Sequence, residues 1–319
     1  MKHLAEYNYY YPFENVYKDI SGISWMKFDD SGVVMNSKKR LLKHYKISKN
    51  DLYEADRSEF YYHPAAVAQC ALATFNLMTK EGHVKPFRDT FVSNIAWIME
   101  NGIEYDNSTV YPFPFGLPDF HPNPGWVSGM YQGLVLSALV RAYLISKNEK
   151  IYSSCERVWN SYSADLGEKY GFRYETDNEL WFEEAPQLPA KHILNGEIYA
   201  IWGIYDFMII NDNPGLKDQW RKSVSTLVNH LSRYDTGFWS YYDLAGNLAS
   251  YYYHTKVHII QLERLYEQTS EKMFKDYSAK WASYSRSFRS SVLKKLYSGY
   301  HLLNRKRHRY NRKIQEGNY

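Results

Sequence analysis

The sequence predicts a mainly α fold, an (α/α) barrel of about four helix pairs with a small N-terminal β-containing arm. Three observations carry this prediction. Long apolar helix patterns begin near Pro64, Trp126, His192 and His254, roughly every 62 to 66 residues, which is the period of a repeated helix pair. A second helical pattern follows each of them, and strand patterns between them are sparse.

The long helices have recognisable start and stop residues. Pro64 stands at a first-turn position, where its missing N–H costs nothing, and this helix is expected to end near residue 80, before Gly82. The others are expected over about 126–146, 192–210 and 254–268. Apolar residues at helical spacing predict their partners at about 91–98, 151–166, 216–234 and 274–288.

The first sixty residues differ from the rest. They contain alternating and turn-rich pieces, and residues 29–32, DDSG, are typical of a hairpin turn. We therefore expect an N-terminal arm over 1–60 that packs on the barrel or on a partner subunit. The barrel is expected over 61–290, and a basic C-terminal tail over 291–319.

Composition excludes several classes of protein. The chain has 319 residues, of which 45% are hydrophobic and 18% aromatic, so it is globular rather than disordered. The net charge is +4, and most of the excess lies in the tail, at about 294–313. Such a tail favours a solvated or membrane-surface segment over a nucleic-acid arm. With the rest near neutral, we do not expect a nucleic-acid-binding protein.

Neither a metal nor a cofactor is indicated. Cys70 and Cys155 lie in apolar helical patterns without CxxC spacing, so no zinc or redox motif is present. No segment reaches the roughly 18 apolar residues of a membrane span. The N-terminal residues lack the apolar run of a signal peptide, which favours a cytoplasmic location.

Alternate helices of an (α/α) barrel begin at the same end, so the segments before the four long helices are expected around one mouth. These segments supply carboxylate, phenol and imidazole groups, which move protons, together with aromatic rings, on which sugars stack. Tyr241, Tyr242 and His258 lie nearby in the sequence. The expected mouth residues are His63, Trp126, Glu183, Glu184, His192, Tyr253 and His254.

Simpler interpretations exist for these residues. Glu183 and Glu184 would also arise just to complement the positive end of the helix that follows. His254 and His258 are one helical turn apart, as in metal-binding helices, but the glutamate of an HExxH motif is missing. A tyrosine at a helix start is commonly only a packed aromatic.

Two further residues have open interpretations. Trp126 fits a core position better than a sugar platform. Arg141 is a lone charge in an apolar helix. It either pairs with a buried acid or faces the barrel lumen, and in the second case it would contact substrate.

Six motifs resemble one known family in its order along the chain. The sequence is similar to the C-terminal catalytic domain of the D-glucuronyl C5-epimerases, which convert glucuronate to iduronate within heparosan or heparan chains. The resemblance covers roughly residues 60–285. The motifs are PGWVSGMYQG (124–133), LVRAY (139–143), WFEEAP (181–186), LNGEIYAIWGIYD (194–206), YDTGFWSYYDL (234–244) and YHTKVHIIQL (253–262).

This resemblance implies a helical (α/α) barrel, a homodimer, an anionic polysaccharide substrate and no diffusible cofactor. It also implies site residues. Glu184 matches the catalytic glutamate of the family, Tyr242 the tyrosine of the YDL motif, Tyr253 the tyrosine before the histidine of the last block, and Asn195 the asparagine of LNG.

The chain departs from the family at three positions. Ala245 follows YDL, where the family has an arginine, and Ser250 stands where it has another, three residues before Tyr253. Arginine is the natural bidentate clamp for a uronate carboxylate. Ala185 replaces an aromatic. The residues that could supply substitute positive charge are Lys191, His192, His254 and Lys256.

The leading hypothesis is a uronate C5-epimerase in which Glu184 and Tyr253 move protons on opposite faces of the sugar and Tyr242 serves as an alternative acid or a carboxylate donor. His254 and His258 would lower the tyrosine pKa if they were positive. The alternatives are a polysaccharide lyase, a glycoside hydrolase pairing Glu183 or Glu184 with a distant acid such as Asp243, and a non-catalytic sugar-binding relative.

Overall fold

Helices dominate the part of the chain that the computed structural model describes, residues 14–45, 47, 58–82, 84–118, 120–121, 123–297 and 299. The α-helices are α1 (Glu14–Lys18), α2 (Lys38–His44), α3 (Pro64–Glu81), α4 (Lys85–Asn101), α5 (Gly129–Ser146), α6 (Glu149–Asn160), α7 (Leu194–Phe207), α8 (Pro214–His230), α9 (Ile259–Thr269) and α10 (Lys272–Arg286). The strands are β1 (Met26–Phe28), β2 (Val34–Ser37), β3 (Phe60–Tyr61), β4 (Ile103–Tyr105), β5 (Ser108–Val110), β6 (Arg173–Glu175) and β7 (Leu180–Phe182). The predicted mainly α fold and its four helix pairs, α3/α4 to α9/α10, are confirmed.

The chain divides into two compact units, residues 1–229 and 230–319. Three of the four helix pairs belong to the first unit and the pair α9/α10 to the second. Closure of all four pairs into one barrel therefore stays a prediction, as do the domain boundaries expected near 60 and 290. No helix among the described residues is long and apolar enough to cross a membrane.

In the first unit, α5 packs between α3 and α7, while α4 lies against α3 and α6 against α5. The approach of α5 to α7 is closest at Gly133, where an added Cβ would lie 2.2 Å from the Tyr199 carbonyl oxygen. Further along, Arg141 of α5 meets Asp206 of α7. Contacts that advance in the same direction on both helices show that α5 and α7 run parallel, so both begin at one end of this unit.

The charge of Arg141 is neutralised inside the unit. Its Nη1 lies 2.6 Å from Asp206 Oδ2, both side chains are 1% exposed, and Nη1 also donates to the Ser137 carbonyl. Of the two alternatives for Arg141, this ion pair confirms the first, in which the arginine pairs with a buried acid. The pair lies in the last turns of α5 and α7, whereas the predicted mouth lies at their first turns. Arg141 is therefore not among the proposed substrate contacts.

Breaking this ion pair is expected to destabilise the protein strongly. Asp206→Ala strands the guanidinium of Arg141 in the core, and the expected loss in free energy of unfolding is about 3–5 kcal/mol. The double variant Arg141→Met/Asp206→Leu removes both charges and is expected to recover most of that loss. Urea unfolding followed by circular dichroism measures both. Equal losses in the single and double variants would contradict this account.

The N-terminal hairpin is present as predicted. Strands β1 and β2 pair antiparallel, from Met26 opposite Asn36 to Phe28 opposite Val34, and β3 joins the other edge of β2. The Asp29 carboxylate accepts hydrogen bonds from the backbone N–H groups of Ser31 and Val33, and Gly32 provides the positive φ of 88° that the turn requires. Residues 1–13 of the predicted arm lie outside the described residues.

The second unit is organised around a wide helical turn. Residues 240–249 form a short bridged loop, Tyr253–His258 form a π-helical turn, and α9 continues directly from it and packs against α10. The helix predicted to begin at His254 therefore starts as a π-helix, which is a frequent feature of functional sites. Residues 288–297 are helical, and the basic tail beyond 299 lies outside the described residues.

Candidate functional site

The two adjacent glutamates follow strand β7 and lie where α5 and α7 begin. The backbone N–H of Gly129, the first residue of α5, donates to the Glu183 carbonyl at 2.9 Å, and Asn195 and Gly196 in the first turn of α7 contact Glu184. This arrangement sets both carboxylates at one end of the first unit. The two carboxylates nevertheless have different surroundings.

Glu184 lies against the first turn of α7. Its Oε2 accepts a hydrogen bond from Asn195 Nδ2 at 3.1 Å, and the residue is 6% exposed. A Cβ at Gly196 would lie 2.4 Å from Glu184 Cβ and 2.5 Å from Oε2, so only glycine leaves room for this carboxylate. A helix N-terminus favours negative charge. Asn195 and Gly196 together therefore fix the position of the Glu184 carboxylate.

The carboxylate of Glu183 contacts His192 through both of its oxygens. Its Oε1 lies 2.6 Å from His192 Nδ1, and its Oε2 accepts from the His192 backbone N–H at 3.1 Å. The His192 ring stacks on Trp181 at 4.3 Å, and its φ is +51°. Because the Glu183 side chain is fully buried, we assign this residue and His192 the role of holding the loop that carries Glu184.

Sequence reasoning missed a third carboxyl group, Glu197. Its Oε2 accepts from the Phe182 backbone N–H at 2.6 Å, at the end of β7. Burial raises the pKa of Glu197 well above its usual range. The hydrogen bond from Phe182 lowers this pKa in part, and the charge of Glu183 raises it further. An acid directly after LNG, in the first turn of an otherwise apolar helix, is the signal that could have found it.

Contacts at the starts of α3, α5 and α7 join two of the predicted mouth residues, His63 and Trp126, through Tyr131. The His63 ring lies 5.1 Å from Tyr131 in α5, and Tyr131 lies 5.7 Å from Trp126. Next to Tyr131, Met130 Sδ lies 3.9 Å from Asn195 Nδ2. The structure thus brings the starts of these three helices together.

His63 and Trp126 have structural duties within this chain of contacts. His63 Nδ1 accepts from the Ala65 backbone N–H at 3.2 Å and caps α3. Burial first, and the charge of Arg40 second, lower the pKa of His63 to about 3. Trp126 is 4% exposed and donates to the Phe115 carbonyl at 2.9 Å, which matches the core position that the sequence favoured.

Three of the predicted residues of the second unit form an aromatic cluster. The Tyr242 and Tyr253 rings meet edge to face at 5.0 Å, and the His258 ring lies 6.5 Å from Tyr242 and 6.3 Å from Tyr253. Both tyrosines are partly exposed, whereas His258 is fully buried. Tyr241 makes a different contact, with its hydroxyl 3.2 Å from that of Tyr297.

The expectation that His254 and His258 carry positive charge is wrong. Burial lowers the pKa of His254 to about 4 and that of His258 to about 3. His254 is also fully enclosed, stacked on Trp239 at 3.7 Å and bound to the Trp281 carbonyl. Both rings are therefore neutral near pH 7 and cannot lower a tyrosine pKa by charge.

These two histidines make stability depend on pH. In the unfolded chain a histidine pKa is about 6.5, so between that value and the lower folded values the unfolded state binds more protons. The free energy of unfolding is therefore expected to fall as the pH is lowered from about 6.5 towards about 4. Urea unfolding at about pH 7.5 and about pH 5 measures the slope. A His254→Gln/His258→Gln variant whose slope equals that of the wild type would refute this assignment.

The positions that depart from the family have local explanations in part. The Ser250 hydroxyl accepts from the Tyr253 backbone N–H at 3.3 Å and thereby supports the start of the π-helical turn. Ala185 is buried, and Ala245 is exposed. Lys294, which the sequence analysis placed in the basic tail, lies 4.0 Å from the Trp239 ring centroid.

Within the described ranges, no group of three or more histidine, cysteine or acidic residues is placed to hold a metal ion. The candidate residues described above provide carboxylate, phenol and neutral imidazole groups. Such groups accept and donate protons and hydrogen bonds.

Two curated relatives match about half of this chain. A D-glucuronyl C5-epimerase of Caenorhabditis elegans is 29% identical over 181 residues, which are 51% of this chain and 29% of the relative. An uncharacterized protein of Methanocaldococcus jannaschii is 27% identical over 176 residues, 54% of this chain and 56% of its own. The match therefore spans 29% of the length of the first relative and 56% of the length of the second.

Solved structures give weaker likenesses. A cellobiose 2-epimerase of Spirochaeta thermophila has a TM-score of 0.48 at 12% identity, covering 69% of this chain and 57% of that one. A family 76 α-mannanase of Bacteroides thetaiotaomicron also has a TM-score of 0.48, at 10% identity, covering 87% and 71%. Neither establishes a shared fold.

The family comparison is decisive by its extent. The sequence profile described as D-glucuronyl C5-epimerase C-terminus matches residues 106–283, more than half of the chain. The matched segment contains Glu184, Asn195, Tyr242 and Tyr253. This chain belongs to the D-glucuronyl C5-epimerase C-terminus family.

Proposed function

We propose that this chain is a uronate C5-epimerase that acts on a polysaccharide or oligosaccharide, converting D-glucuronate to L-iduronate in a heparosan-like chain. Family membership over 106–283 supports the reaction class. The observation that carries the proposal is the placement of Glu184, a carboxylate held by Asn195 and accommodated by Gly196. A homodimer and an anionic polymer partner belong to the proposal through the same resemblance.

The reaction removes one proton from C5 and returns a different one. The C5–H bond beside the sugar carboxylate breaks, its electron pair spreads into the carboxyl group, and a proton returns to C5 from the opposite face. This requires two acid/base groups. We assign one role to Glu184 and the other to Tyr253, following the family motifs, with Tyr242 as a hydrogen-bond donor or an alternative acid. In this direction the Glu184 carboxylate takes the C5 proton and the Tyr253 phenol gives its own proton to C5. The step leaves a protonated Glu184 and a Tyr253 phenolate, and proton exchange with solvent restores both groups.

The hydrolase alternative has less support. It needs a distant acid to work with Glu183 or Glu184. Glu183 is bound to His192 through both carboxylate oxygens. Asp243, the candidate partner, accepts from the backbone N–H and the side-chain Nδ2 of Asn247 at 3.0 and 2.7 Å. Both acids are thus already engaged in holding loops.

The proposal is tested by incubating the purified protein with heparosan and analysing the disaccharides after chemical depolymerisation, which leaves C5 of the uronate intact. Iduronate is the expected product, and it should be missing when Tyr253→Phe is used. A 4,5-unsaturated uronate, detected by its ultraviolet absorbance, would instead indicate a lyase, because the carbanion then expels the 4-linked sugar. An unchanged polymer would remove heparosan as substrate.

A further inference from the structure

One serine hydroxyl is shared by the two buried histidines beneath the tyrosine pair. Ser240 Oγ lies 2.8 Å from His254 Nδ1 and 3.2 Å from His258 Nδ1. All three residues are 0% exposed. The π-helical turn makes this possible, because its wider spacing sets His254 and His258 towards the same hydroxyl while Tyr253 stays beside His258.

The proton of neutral His254 has a fixed position. Its Nε2 lies 3.0 Å from the Trp281 carbonyl oxygen, which can only accept, so Nε2 carries the hydrogen. Its Nδ1 is then an acceptor, and the Ser240 backbone N–H donates to it at 3.2 Å. The Ser240 hydroxyl can add a second hydrogen bond to the same nitrogen, or turn away from it.

The direction of that hydroxyl determines the chemistry of His258. When Ser240 Oγ–H donates to His254, Oγ is free to accept from His258 Nδ1–H, and His258 Nε2 is then a bare acceptor. When the hydroxyl donates to His258 Nδ1 instead, Nε2 carries the hydrogen and becomes a donor. One rotation of a hydroxyl group therefore reverses the hydrogen-bonding character of Nε2 without adding a charge.

The described residues provide no hydrogen-bond partner for His258 Nε2, although the atom is buried. An unsatisfied buried polar group costs about 1–3 kcal/mol, and a bound molecule that satisfies it recovers this cost. Three aromatic rings surround the His258 ring: Trp281 at 6.1 Å, Tyr253 at 6.3 Å and Tyr242 at 6.5 Å. We place the two tyrosines in the reaction.

We propose that His258 is a substrate-contacting residue whose Nε2–H donates a hydrogen bond to the uronate carboxylate when the partly exposed Tyr242 and Tyr253 rings beside it shift on binding, and that Ser240 selects the tautomer which does so. This rests on the proposed function. Negative charge grows on the carboxylate as the C5 proton leaves, so a preorganised donor binds the transition state more strongly than the ground state.

Two amide substitutions separate the nitrogens of His258. In His258→Gln the amide reaches the Nε2 position, whereas in His258→Asn it reaches only the Nδ1 position beside Ser240. We expect His258→Asn to keep its circular dichroism spectrum and KM while kcat falls at least about 10²-fold, the usual effect of losing one such donor. His258→Gln should keep at least about a tenth of kcat. Equal kcat in both variants would overturn the proposal.

A second measurement does not depend on turnover or on variants that fold. In wild-type protein with ¹⁵N-labelled histidine, adding a heparosan tetrasaccharide should move the Nε2 and Nδ1 signals of His258 to the values of a single Nε2–H tautomer, with His254 unchanged. Unshifted His258 signals in a protein that epimerises heparosan would overturn this inference alone. Unshifted signals together with no reaction on any uronate polymer would overturn both proposals.

Discussion

Glu184→Gln is expected to reduce kcat by about 10²–10⁴-fold while leaving the fold intact, because the amide keeps the size of the side chain but cannot take up a proton. The Gln side chain still offers an oxygen to Asn195 Nδ2, so the first turn of α7 keeps its contact. Initial rates on heparosan and the midpoint of thermal unfolding measure the two effects separately.

The neighbouring acid provides a matched control. Glu183→Gln has the same chemical change one residue earlier, but both oxygens of Glu183 contact His192 and the amide keeps only one oxygen that can accept. We expect this variant to lose stability more than Glu184→Gln does, and to retain more of kcat. The opposite ranking, with Glu183→Gln inactive and Glu184→Gln active, would show that the roles of the two carboxylates are reversed.

Gly196→Ala is expected to abolish most of the activity by adding a single methyl group. The new Cβ would lie 2.5 Å from Glu184 Oε2 and 2.4 Å from Glu184 Cβ, so the carboxylate must move. Alanine is the better helix former by about 1 kcal/mol, which offsets part of the cost of this movement. We therefore expect a kcat loss near that of Glu184→Gln with only a small change in unfolding midpoint.

Gly215→Ala in α8 is the control for this substitution. Its added Cβ would meet only Asn213 Oδ1 at 3.2 Å and Trp159 at 3.9 Å, and neither atom belongs to the site. Full activity is expected. If Gly196→Ala matched Gly215→Ala in kcat, the position of Glu184 would not matter to the reaction, and its assignment would be wrong.

The sequence predicts the helical framework well because that framework depends on apolar spacing. The four pairs, the start at Pro64 and the hairpin turn at 29–32 all follow from local patterns. The division into two units does not follow from local patterns, because it depends on which helices contact each other. The sequence analysis also missed the π-helical turn at Tyr253–His258. Its backbone hydrogen bonds span one residue more than those of an α-helix, and the spacing of apolar residues does not reveal this.

Residue types predict the candidate chemistry but not the state of each group. Glu183 and Glu184 look equivalent in the sequence, but in the fold Glu183 contacts His192 while Glu184 accepts from Asn195. His254 and His258 look like sources of positive charge, yet burial keeps them neutral. Desolvation is a property of the folded surroundings and has no signature at the titrating residue itself.

The central claim is that this chain breaks and re-forms the C5–H bond of a uronate. Proton NMR of heparosan incubated with the protein in D₂O tests it most directly, through the uronate H5 signal. The account predicts that the H5 signal disappears as deuterium enters C5 and that iduronate resonances appear, and that neither happens with Glu184→Gln. An H5 signal that persists on heparosan and on other uronate polymers would contradict it.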